Sequence, residues 1–248
     1  MWSFVAKKQK RCNPDDPADD HKGDWWDHVA YDAEHRLVLA VVPGARSIEN
    51  AEEVVNEVYA RTGGCEDVLL TSDEYPAYET AIDRVYGVPE GPKPPGAPGR
   101  PPIGPRRRAP ADLKYATVHK EREKGRVVAI TTAVVVGSWQ AVAAALERST
   151  ASRTINTSFL ERHHLTDRHR NARKSRKTYR FSKDWRAHEA MTYFTKYSYN
   201  FCWPVRTLRE RTEAGGAWRR RTPAMAAGLA DHVWPLKEWL TFPAVQQL

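Results

Sequence analysis

The sequence predicts an α/β fold: a mixed β-sheet flanked by helices and interrupted by a proline-rich insertion. Three observations carry this. Short β-rich runs alternate with stretches of helical periodicity. Proline and glycine crowd into one internal segment. A 41% hydrophobic content over 248 residues, with nine Trp and ten Tyr, suffices for a substantial core.

The elements follow in chain order. Residues 26–42, WDHVAYDAEHRLVLAVV, are two β-rich runs around a polar turn at Glu34 and His35, which predicts an antiparallel hairpin. Residues 47–62 place Ile48, Ala51, Val54, Val55 and Val58 at helical spacing, with Ser47 as cap and Gly63 and Gly64 as stop. Residues 67–71, DVLLT, form a short apolar strand, and SDEYPAYETAIDRVY after it begins a helix. Between 87 and 112 lie nine of the 17 prolines, five glycines and the triplet Arg106, Arg107 and Arg108. That composition excludes regular structure and reads as an extended surface insertion, a dedicated binding arm being the alternative. Residues 115–119 and 126–136 predict further strands and 139–148 an amphipathic helix. The basic segment that follows and the aromatic-rich 185–199 predict two more helices. The domain division expected is 1–86, the insertion 87–112, 113–200 with the basic helix, and a tail, 201–248, packing back on the domain.

Charge is concentrated. Residues 162–185 hold nine Lys and Arg against Asp167 and Asp184, in a chain whose formal charge is +8. A chain close to neutral outside one cationic segment points to a polyanion, because each neutralised phosphate releases counterions. Arg162, Arg168, Arg170, Arg173, Lys174, Arg176 and Lys177 are the expected DNA-holding residues, the alternative being a solvated cationic face. If Glu161 opens a helix, Glu161, His164 and Arg168 share one face. His163, His164 and His169 sit among cations, which suits phosphate or base contacts better than metal ligation. Tyr193, Phe194, Tyr197, Tyr199, Phe201 and Trp203 read as core ahead of base-stacking platforms. Cys12, Cys65 and Cys202 have neither disulfide nor zinc spacing and read as reduced thiols. The apolar run at 127–136 is too short to span a bilayer, and no signal-peptide layout opens the chain, so a soluble cytoplasmic protein is expected.

Carboxylates at strand ends are where hard divalent ions are held for phosphoryl transfer. Asp73, just past the 67–71 strand, and Glu161, heading the basic segment, are the candidate catalytic and metal-binding acids.

Five blocks, MWSFVAKK, TSDEYPAY, SFLERHHLTDRHRNARKSRKTYRFSKDWRAHEAM, YSYNFCWPVRTLR and RTPAMAAGLADHVW, together resemble bacterial insertion-sequence transposases of the IS-one-like kind. The resemblance covers nearly the whole chain outside the insertion. It implies an RNase H-like fold and an Asp, Asp, Glu triad holding two Mg²⁺ (or Mn²⁺) ions, with hydrolysis and rejoining of DNA strands. Asp73 matches the second Asp and Glu161 the Glu, which implies that they converge across the sheet although 88 positions apart. The family's first Asp precedes its Trp-Ser-Phe-Val strand, which would put that acid ahead of Met1. Asp15, Asp16, Asp19 and Asp20 lie in a Pro-interrupted loop and are poor substitutes, and Asp24, Asp27 and Asp32 have no assigned role. His164 stands where the family usually has an amide. The implied partners are double-stranded DNA at element ends and target, further copies of the chain and an upstream-encoded DNA-binding segment, at the bacterial nucleoid and with no membrane. The alternative is a non-catalytic DNA-binding remnant.

Overall fold

A computed structural model of the chain describes residues 1–91, 107–212 and 216–243. The body of the proline-rich insertion, with Arg106, lies outside these. In order the elements are β1 (Trp2–Val5), β2 (Gly23–Asp32), β3 (Leu37–Gly44), α1 (Ile48–Arg61), β4 (Leu69–Asp73), α2 (Pro76–Tyr86), β5 (Val88–Pro89), β6 (Arg107–Arg108), β7 (Lys114–Glu123), β8 (Arg126–Val136), α3 (Trp139–Arg148), α4 (Ser158–Arg170), α5 (Trp185–Cys202), β9 (Glu210–Arg211), β10 (Trp218–Arg219), α6 (Pro223–Ala226) and α7 (Leu236–Thr241). The fold is mixed α/β. It divides into two compact units, 1–45 with 159–248 and 46–158, not at the expected positions 86, 112 and 200.

The first unit is built on the antiparallel meander β1-β2-β3. The hairpin of β2 and β3 turns at 33–36, where Arg36 takes a positive φ of 55°. α5 packs on β3, and Val29, Val38, Val41 and Tyr199 form the apolar core, with Leu160 and Tyr193 against it. Asn200 fastens that contact: its Oδ1 accepts from Val38 N at 3.0 Å and its Nδ2 donates to Val38 O at 2.9 Å. An amide thus stands in for a neighbouring strand. The tail returns onto α5, with Phe194 against Trp239 and Phe201 against Trp234.

In the second unit β4 pairs in parallel with β7, and β7 pairs antiparallel with β8. Lys124 and Gly125 join β7 to β8 with φ of 47° and 81°, the two-residue turn whose twist suits a hairpin. α1 and α2 pack together, burying Ala51, Val54, Val55 and Val58 on one side and Ala81, Ile82 and Tyr86 on the other. β5 and β6 form a two-residue ladder at the base of the insertion, so its edges are regular where coil was expected.

Local signals set most helix starts. Ser47, Ser138, Asp184 and Thr222 each accept a hydrogen bond from the backbone N–H three residues on, satisfying a donor that the helix itself leaves free.

The basic segment is the main departure. Helix α4 stops at Arg170, followed by a single 3₁₀ turn at Ala172–Lys174 and irregular chain to Asp184. That stretch returns along β1: Ser182 bridges Val5 in parallel, and Ala6 N donates to Ser182 O at 2.7 Å. Asn171 sets the stop, its Oδ1 accepting from Arg173 N at 3.1 Å, an arrangement that competes with continued helix.

Candidate functional site

Asp73 belongs to the second unit. It is the last residue of β4, which runs two residues further than expected, and its side chain is exposed. Around it, Ser72 Oγ donates to Asp73 O at 2.6 Å and lies 2.7 Å from the Tyr115 hydroxyl. Glu74 pairs with His119 at 2.5 Å, and the Arg46 guanidinium covers the Tyr75 ring at 4.3 Å. Burial, reinforced by the Asp73 charge, pushes the Tyr78 phenol well above its ordinary range, so it stays a neutral donor.

Glu161 belongs to the first unit, exposed in the first turn of α4, with Arg168, His169 and Arg170 in the last. This polarity complements the helix dipole. The face expected to carry Glu161, His164 and Arg168 together runs from solvent into the interior: His164 Nε2 and Arg168 Nε are buried.

Beneath α4 lies a polar cluster where the sequence suggested open surface. Lys174, 3% exposed, donates to both oxygens of Asp27 at 2.7 and 2.6 Å and to Thr192 Oγ1 at 2.5 Å. Lys196 lies 3.4 Å from Asp167, both buried. Burial alone would raise the Asp27 carboxyl, but Lys174, the Met1 α-ammonium and Lys196 outweigh it and hold it below the usual range. Burial pushes the Lys196 ammonium down, with Asp167 and Asp27 opposing. Removing either member of such a pair strands the other charge and costs about 3–5 kcal/mol. His163 sits between Tyr31 and Tyr199, 4.9 and 4.7 Å from their rings. Its two ring nitrogens, with His164 Nε2 and Arg168 Nε, have no hydrogen-bond partner among the described residues, where Asp167 Oδ2 and Lys196 Nζ have only each other.

The seven expected DNA-holding residues therefore separate. Arg162, Arg176 and Lys177 are exposed. Arg168, Arg170 and Arg173 are half-buried, and Arg170 donates to Thr195 O at 2.8 Å and Ser198 Oγ at 3.3 Å. Lys174 is corrected outright: its ammonium neutralises Asp27 in the interior and is turned away from solvent. His163, expected as a phosphate or base contact, is likewise core. Arg180 and Lys183, outside the expected set, are exposed.

Among the described residues no group of three or more His, Cys, Asp and Glu side chains could hold a metal ion. Nor, among those residues, is any helix long and apolar enough to cross a membrane. Comparison with family models, curated proteins and solved structures gives no match to this chain.

Proposed function

We propose that this chain is a DNA-processing protein of the insertion-sequence transposase type, with an RNase H-like fold. The observation that carries the reading is the position of Asp73, an exposed acid closing a strand that pairs in parallel with β7. Open α/β sheets present ligand-handling groups at such carboxyl ends of strands. The order of three antiparallel strands, helix, strand, helix and parallel strand supports it, as does Glu161 opening a helix flanked by exposed cations. Its partners are duplex DNA at element ends and target and further copies of the chain. Mg²⁺ or Mn²⁺ is the cofactor attached to the reading, because carboxylate oxygens select hard ions.

Incubation with supercoiled plasmid in Mg²⁺, Mn²⁺ or EDTA tests this. Nicked circles are expected with the ions and not with EDTA, and Asp73→Asn and Glu161→Gln should each abolish them. Nicking at the wild-type rate by either variant removes that carboxylate from the reading. A second reading is DNA binding without cleavage, on the exposed cations Arg162, Arg176 and Lys177. That reading predicts retained plasmid binding with no nicking under any ion.

A further inference from the structure

Beside Glu161, the outward face of α4 and the end of α5 enclose a groove of about 650 Å³ lined by Arg162, Leu165, Thr166, His169, Arg170 and Trp203. Positions 162, 165, 166 and 169 recur at helical spacing, so they form one stripe. The stripe is chemically unusual for a surface. Leu165 is 65% exposed and Trp203 48% exposed, and among the described residues no acid lines the groove.

Arg170 explains how the indole is held. Its terminal nitrogens bond to Thr195 O and Ser198 Oγ, and its guanidinium lies 5.0 Å from the Trp203 ring centroid. The guanidinium thus sits against the Trp203 ring while lining the same groove. Arg162 and His169, both exposed, are the polar groups facing outward.

A half-exposed aromatic ring beside cationic donors, in a groove the size of a small-ligand site, matches one ligand chemistry: a flat base carrying an anionic phosphate. A paired base inside a duplex hides its faces against its neighbours, whereas an unpaired base offers one for stacking. We propose that this groove is a subsite for an unpaired nucleotide of single-stranded DNA, the base stacking on Trp203 and the phosphate meeting Arg162 and His169. The proposal rests on the DNA reading only for the class of its ligand.

Fluorescence anisotropy of a labelled eight-nucleotide oligothymidylate with the full chain, without divalent ions, tests it. The wild type should bind, Trp203→Ala should bind about tenfold more weakly, and Trp203→Phe should stay near wild type, as sequence-tolerant base stacking requires. Leu165→Glu, an outward substitution that leaves the core intact, should also lose binding by placing a carboxylate in the groove. Arg162→Ala should flatten the logarithmic salt dependence by about 0.7. No oligothymidylate binding by the wild type overturns the proposal, as does wild-type affinity in Leu165→Glu or in a folded Trp203→Ala. The nicking reading fails separately: oligothymidylate binding is read without divalent ions, and it stands whether or not the wild type nicks plasmid in Mg²⁺.

Discussion

Burial holds three imidazoles of the first unit neutral, and that ties stability to pH. His188 is pushed down to about 4 by burial and Lys174, with Asp27 opposing, while its nitrogens lie 2.9 Å from Ser182 Oγ and 3.3 Å from Ser3 Oγ. His163 is pushed down to about 2 by burial and then by Lys196 and Arg170. His164 is pushed equally far by burial and then by the Met1 α-ammonium, Lys196 and His163, with Asp27 opposing. Each ring ordinarily titrates near 6.5, so below that pH the unfolded chain takes up protons that the folded chain refuses. Stability therefore falls as pH drops, from about 6.5 toward about 4 for His188 and further for the other two. Asp27, held low, adds a loss of the same sign at still lower pH. Urea unfolding at pH 7 and pH 5 should differ by about 2 kcal/mol for each ring held neutral, because the unfolded imidazole takes up most of its proton across this interval. An unchanged stability would mean that these rings are not held neutral in the folded chain.

Elements whose causes are local were legible in the sequence. The helices α1 and α3 start at Ser47 and Ser138 and follow their apolar spacing, and the β2–β3 hairpin turns where Glu34 and His35 suggested. The basic segment was not legible, because its causes are long-range. Lys174 is drawn inward by Asp27, 147 positions earlier, and Lys196 by Asp167, so charges that look solvated neutralise each other in pairs. α4 and α5 bury polar faces, including His163, Asp167, Thr192, Ser198 and Asn200, which reading by apolar periodicity passes over. A signal was present in the recurrence of His188, Thr192, Lys196 and Tyr199 along one helical stripe. For the site, Asp73 was legible as a strand-end acid, while the half-exposed Trp203 was read as core with the other aromatics at helical spacing. The consequence for nucleic-acid binding is specific. Arg176→Gln with Lys177→Gln should flatten the salt dependence of duplex affinity by up to about 1.8, since each phosphate no longer neutralised removes about 0.9 from the slope, with little change in stability. Lys174→Ala should instead unfold more readily by about 3–5 kcal/mol with the salt slope unchanged. The reverse pattern, measured by anisotropy titration and urea unfolding, would return Lys174 to the surface.

At the scale of the whole chain, composition marks where an insertion leaves the fold but not which segments pair. Expected boundaries at 86 and 112 follow the proline content, whereas the units follow strand pairing and helix packing that join residues 1–45 to 159–248. One unit is continuous in sequence and the other is split around it. The Asn200 amide, which closes the free edge of β3 at Val38, gives this split a consequence in time. During synthesis β1, β2 and β3 emerge first, but Tyr199 and Asn200 follow only after the continuous unit and α4 are made. At ~5–20 residues per second that wait is on the order of ten seconds. Through it the backbone N–H and C=O of Val38 lack their amide partner, while 46–158 can close on its own pairings. Nascent chains arrested just after Arg170 should thus be cleaved by protease within 1–45 and spared within 46–158; equal protection of both would show that β3 finds another cover. For this unit the late event is the arrival of α5, and the vulnerable species is a three-stranded sheet waiting for it.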